Sequence, residues 1–332
     1  MSQCSVLPAS LFQAAFPLIR FSSNSSPQPR HGWIPAALLA LSVCAAGQTP
    51  DTHGSQSLAP AGHTAESAAS SADAAGDNAW LASTGKLYYS TAKTGLNGFD
   101  CTVHPDWREL FVTSNPGTQV GNDDEHLALL NSVKINLHAH LRGGSTMDWS
   151  RDPSDIKPLD DASNEMLGKM HQATEQTIEG FLQFWTPFVD GSVVPDSADG
   201  LTITHTGTQH TIHAAQGDVE LTEIFSNDLL LQHFDVNMKA VSIKFQPAYK
   251  PTDQGLLVKS FQAHVQPAGT PADQAEDMHV EIEYQTLDGF PIPSRLNMTV
   301  TNSGTFNFVL DGCSVSRVEK PAPAATVKPA LQ

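Results

Sequence analysis

The side chains best suited to chemistry in this chain are histidines at short spacings. His138 and His140 stand two residues apart in Val133–Leu141, where they alternate with Val133, Ile135, Leu137, Ala139 and Leu141. On a strand that spacing sets both imidazoles on one face, where they could share a metal ion. A stable site needs a third or fourth ligand. The same face instead carries Lys134 and Arg142, which repel a cation, and Asn136, and so suits a solvated surface. His205 and His210 form a second pair. With Gly207-Thr208 as a two-residue turn, Leu201–His213 becomes a hairpin that sets Ile203 opposite Ile212 and His205 opposite His210. Asp123-Asp124 and Asp160-Asp161 read as loop and helix-cap residues rather than as the acid/base pair of a glycosidase. Ser145, after Gly143-Gly144, lacks the strand–turn–helix setting of a nucleophile elbow. The sequence has no Gly-x-Ser-x-Gly, no phosphate-binding Gly-rich loop, no His-Glu-x-x-His and no Cys-x-x-Cys. These residues predict no catalytic set, no bound metal and no cofactor. A histidine-based, metal-dependent hydrolase is the enzymatic alternative.

The segment with most to offer a ligand is aromatic. Phe181, Phe184, Trp185 and Phe188 fall within eight residues. Leu167, Met170, Thr174, Ile178, Phe181, Trp185 and Phe188 recur at steps of three and four, a helical stripe. Asp161 and Ser163 are candidate caps, and Thr186 before Pro187 predicts an end near Trp185. Phe184 lies off the stripe and needs a second apolar surface. Either it packs under a loop, or the helix lies over a cavity and lines it with aromatic rings.

The elements around this helix read as strands. Apolar and polar residues alternate at Val241, Ile243 and Phe245, at Val280, Ile282 and Tyr284, at Leu296, Met298 and Val300, and at Phe306, Phe308 and Leu310. Each run gives one apolar and one polar face, the pattern of antiparallel sheets. Asn302-Ser303-Gly304 and Asp288-Gly289 supply turns. A second, weaker helix is expected from about Asp123 to Ser132. The expected fold class is α+β: a curved antiparallel sheet, an open half-barrel, covered by one or two helices.

Composition bounds the setting. Residues 1–32 contain Arg20, Arg30 and His31 and no acidic residue, and the apolar run Trp33–Ala46 follows. That run suits a signal-peptide core and falls short of the roughly 20 residues that span a bilayer. Residues 1–47 are read as a signal peptide, with a start downstream of Met1 and lipidation of Cys44 as open variants. Residues 48–79 are small and polar and read as a disordered linker, 80–319 as one β-rich domain, and 320–332 as a disordered tail. The net charge of −17 becomes more negative once the leader, which holds only basic charges, is removed. Nucleic acid and anionic membranes are therefore poor partners. Cys101 and Cys313 are the cysteines left in the domain; a disulfide is expected in an oxidising compartment, two buried thiols being the alternative.

Leu87-Tyr88-Tyr89, Gly95-Leu96-Asn97-Gly98-Phe99, the strands Val241–Phe245 and Leu256–Val265, and Val280–Tyr284 followed by Gly289-Phe290-Pro291-Ile292-Pro293-Ser294-Arg295-Leu296 resemble the LolA-type periplasmic lipoprotein-carrier family. The resemblance spans about residues 85–315. It implies a half-barrel whose apolar face holds a lipid, an acyl chain or a lipidated protein beneath a helix. Phe181, Phe184, Trp185 and Phe188 would then face Phe245, Phe261, Tyr284 and Phe308 across that ligand, in an exported, periplasmic or extracellular protein. A secreted scaffold with a self-filled core is the alternative.

Overall fold

The computed structural model describes residues 70–114, 124–141, 144–151, 159–190, 193–271, 275–301 and 303–318. The leader, Cys44, residues 48–69 of the linker and the tail from 320 lie outside the described residues. The fold is α+β. Twelve strands form one open antiparallel sheet: β1 (Leu96–Pro105), β2 (Val133–His140), β3 (Gly144–Arg151), β4 (Thr202–His205), β5 (Gln209–Gln216), β6 (Val219–Ser226), β7 (Leu231–Met238), β8 (Val241–Thr252), β9 (Gly255–Pro267), β10 (Glu276–Leu287), β11 (Phe290–Val300) and β12 (Gly304–Arg317). The spatial order is β3-β2-β1-β12-β11-β10-β9-β8-β7-β6-β5-β4, so every neighbour is also a sequence neighbour except β1 and β12. The helices are α1 (Ser70–Gly85), α2 (Thr91–Thr94), α3 (Trp107–Ser114), α4 (Asp124–Asn131) and α5 (Asp161–Val189).

Local chemistry sets the strand registers. Asp288 (φ 50°) and Gly289 (φ 87°) both take the left-handed region between Leu287 and Phe290, which pair, and this two-residue turn matches the twist of the flanking strands. Ile203 pairs with Ile212 and His205 with His210, and the Thr206 amide donates to the Gln209 carbonyl at 2.9 Å to close the Gly207-Thr208 turn. Cys101 and Cys313 are disulfide-bonded with Cα atoms 4.1 Å apart. The bridge falls where the β1–β12 register shifts between Asp100 and Thr102, and it joins the strand of Phe99 to that of Leu310. The first and last strands in sequence are thereby tied as neighbours, third and fourth from one edge of the sheet.

α5 lies on the apolar face. Its 29 residues extend about 43 Å at the helical rise. Its N-terminal half lies near β3, where Trp149 stacks on His171 with ring centroids 4.6 Å apart. Its C-terminal end meets β7, β8 and β9 through Phe188 against Phe234, Phe245 and Phe261. Asp160 is the cap, accepting from the Ser163 amide at 2.7 Å.

Two boundaries depart from the sequence reading. α5 runs through Pro187 to Val189 instead of ending near Trp185. Proline removes one amide only three residues from the end. Thr186 donates to the Leu182 carbonyl at 2.6 Å, the Asp190 amide donates to the Thr186 carbonyl at 2.7 Å, and Phe188 is buried among three phenylalanines. The second correction concerns the linker: its residues 70–79 are helical and belong to α1. Asp77 reaches His205 at 3.0 Å, and Asn78 accepts from the Ala198 amide at 2.8 Å.

Candidate functional site

Seven of the eight aromatics expected to line a ligand site make contacts in two sets between α5 and the sheet, Phe181 with Trp185 and Tyr284, and Phe184 with Phe188, Phe245 and Phe261. Phe181 stacks on Trp185 at 6.0 Å, Phe184 meets Phe245 edge-on at 5.4 Å, and Phe188 packs on Phe245 and Phe261 at 6.1 and 5.9 Å. Trp185 is fully buried, and its indole N–H donates to the Tyr284 hydroxyl at 2.9 Å. That hydroxyl donates in turn to the Val258 carbonyl at 2.7 Å. Burial pushes the Tyr284 phenol far above its usual value, so it acts as a fixed hydrogen-bonding group. Phe184 is half-buried and packs on Phe245, a strand residue. Phe308 belongs to the same buried core and lies beside the middle of α5. It is buried beside Phe306, Trp107, Thr174 and Thr177, around a cleft of about 10 Å3, the room of a single water.

A second constellation escaped the sequence reading. On β6, Val219, Leu221, Glu223 and Phe225 share one parity, and Glu223 takes the inward place of an apolar residue. It is 1% exposed and is the sole charged side chain buried to that degree among the described residues. Ile212 of β5 and Phe234 of β7 pair with it on either side, both buried. Its Oε2 is buried without a hydrogen-bond partner. Desolvation holds the group well above the usual carboxylate range. Tyr88 and Tyr249 lie close enough that a charge on Glu223 would raise both phenols further, after burial has already raised them. Their rings meet at 5.2 Å. The Tyr88 hydroxyl donates to the Leu229 carbonyl at 2.8 Å and accepts from the Leu231 amide at 2.7 Å, whereas the buried Tyr249 hydroxyl has no partner. Thr84 and Ser90, which flank Tyr88 in the chain, add two more unpartnered buried hydroxyls.

Backbone geometry delivers Tyr88 to this place. Gly255 (φ +115°) opens β9, and a Cβ there would meet the Leu87 carbonyl oxygen at 2.8 Å. Without one, the Leu87–Tyr89 segment lies against the strand: the Tyr89 amide donates to the Leu256 carbonyl at 2.9 Å, and the Leu256 amide to the Leu87 carbonyl at 2.6 Å. The signal that could have exposed the constellation is the carboxylate in an apolar parity.

The histidines sit elsewhere. On the outer face, His138 lies 2.7 Å from Asp100 and 3.3 Å from Asp148, joining three strands. Those hydrogen bonds, chiefly the one to Asp100, hold its pKa above the usual histidine value. At the β4 edge, His205 and His210 approach Nδ1 to Nδ1 at 2.6 Å, with Trp80 packed on both rings. Burial and the charge of His205 lower the His210 pKa. Among the described residues, no three or more His, Cys, Asp or Glu side chains stand together as a metal site. His140 is exposed on β2, two residues from His138. No described helix is long and apolar enough to cross a membrane.

No protein-family model, no curated protein and no solved structure matches the chain.

Proposed function

We propose that this chain is an exported, non-enzymatic binding protein that takes an apolar ligand (a lipid, an acyl chain or a lipidated partner) between α5 and the sheet. The observation that carries the reading is the interface itself: the long helix α5 lies along the apolar face of a twelve-stranded sheet and meets it through aromatic rings. The interior contains buried polar atoms without partners, including Gln183 Oε1 on α5 and Glu223 Oε2. A core selected only for stability gains nothing from such atoms, each of which costs about 1–3 kcal/mol when left unpaired. Apolar pockets that orient a ligand with a few polar groups have this make-up. The C-terminal end of α5 is tied to α2 by the Thr91 hydroxyl, which donates to Asp190 at 2.7 Å. The disulfide and the predicted leader support an oxidising compartment, and the LolA-type resemblance points the same way.

The ring contacts favour a second reading, a secreted scaffold whose aromatics fill its own core. Two substitutions separate the readings. Phe184→Ala removes a half-buried ring that covers Phe245, whereas Trp185→Ala removes a fully buried one together with its bond to Tyr284. Under the binding reading, Phe184→Ala weakens binding of a fluorescent fatty-acyl probe several-fold. It also costs less stability than Trp185→Ala, which falls in the range of about 3–5 kcal/mol for a deleted core aromatic. A wild-type protein that binds no such probe, with both variants affecting stability alone, leaves the scaffold.

A further inference from the structure

We infer that the Glu223 end of the interior is a headgroup site for a protonated amine, so that the ligand is an amphipathic amine with an apolar tail. This rests on the apolar-ligand reading above and deepens it. The chemistry of the lining makes the choice. Glu223 is the sole charged side chain buried among the described residues, and no lysine or arginine is buried with it. An anionic head, such as a fatty-acid carboxylate, would find no cation there and would face a carboxyl. An ammonium would find an acceptor oxygen with no other partner among aromatic residues: Phe234 pairs directly with Glu223, Phe225 follows it on the same face of β6, and Tyr88 and Tyr249 lie within its electrostatic reach. The unpartnered Tyr249 hydroxyl supplies a further acceptor for an N–H.

The site joins the aromatic cluster without a break. Phe234 pairs with Glu223 on one side and with Phe245 on the other, and both rings pack on Phe188 of α5. A tail leaving the carboxyl along this rung therefore runs directly beneath the C-terminal end of α5. When the ammonium enters, the neutral carboxyl gives its O–H proton to solvent and the resulting carboxylate pairs with the cation, so one proton is released for each ligand bound.

The test uses the mature wild-type protein and three probes with one tail and different heads: dodecylamine, dodecanol and dodecanoate. Each is titrated by calorimetry in two buffers of different ionisation enthalpy, which counts protons released. The amine is expected to bind at least about tenfold more tightly than either other probe, the scale of one charge-assisted bond, and to release close to one proton. Glu223→Gln, which keeps the shape of the side chain, should remove both the preference and the proton release while leaving the alcohol's affinity unchanged. Three equal affinities in the wild type overturn the headgroup assignment and leave the apolar-ligand reading standing. So does an amine preference that survives in Glu223→Gln. Failure of all three probes to bind overturns both. The wild-type series decides the matter even where the variant does not fold.

Discussion

Glu223 occupies a position where the alternation of β6 asks for a hydrocarbon, and a buried carboxyl there makes stability depend on pH. Its folded pKa is raised, so the folded protein keeps a proton that the unfolded chain releases above about pH 4.5. Stability is then complete below the unfolded value and falls as pH rises toward the folded value, by at most about 1.4 kcal/mol per pH unit. Glu223→Gln should melt higher than wild type at pH 7, and the gap should shrink on going down to pH 4. A gap that stays constant with pH would mean that the carboxyl is not buried as described. His138 shifts in the same direction for a different reason, favourable carboxylate contacts on a half-buried surface side chain. Its raised pKa means that the Asp100 and Asp148 contacts contribute below the free histidine value and fade as pH rises through the folded one. A proton NMR titration should place His138 above the usual 6.5, and Asp100→Asn should bring it down. A surface pair of this kind is worth under about 1 kcal/mol, so the melting temperature should hardly move.

At the scale of elements, the most legible features were those fixed by local chemistry. The hairpin of His205 and His210 was readable to the residue because strand parity and a two-residue turn leave one register. α1 was not readable. Ser70–Gly85 is rich in alanine, serine and glycine with no apolar stripe, and contacts distant in sequence hold it: Asp77 to His205, Asn78 to Ala198, and Trp80 against Phe225. The Pro187 end of α5 misled for a similar reason, since the burial of Phe188 is invisible to a rule about the residue before proline. These contacts make a prediction. A chain starting at Ser70 should keep the melting temperature of the mature protein. One starting at Trp80 loses two hydrogen-bonded groups and should melt several degrees lower, at about 2–4 °C per kcal/mol for a domain of this size. Equal melting of the two would show α1 to be incidental.

For the whole molecule, the organising fact is that a sheet built in sequential order is tied across β1 and β12 by both a strand ladder and the Cys101–Cys313 bridge. The bridge closes a loop over a sequence separation of 212, worth up to about 5 kcal/mol in the chain-entropy picture. Replacing both cysteines with serine should lower the melting temperature markedly and make the wild type's sensitivity to reductant disappear. An unchanged melt would mean that the ladder alone holds the two strands. The fold class and the strand faces were legible in the sequence because alternation is a strong signal repeated in many strands. The interior acid was not legible in the same way, because one carboxylate in an apolar run looks like a minor irregularity until its neighbours are known.

The central claim, a ligand held between α5 and the sheet, is tested most directly by native mass spectrometry of the mature protein purified from its own host. The account predicts an adduct of a few hundred daltons that leaves on collisional activation, extracts into organic solvent and carries an amine. A bare polypeptide mass, unchanged after incubation with dodecylamine or a fatty-acyl probe, would contradict it.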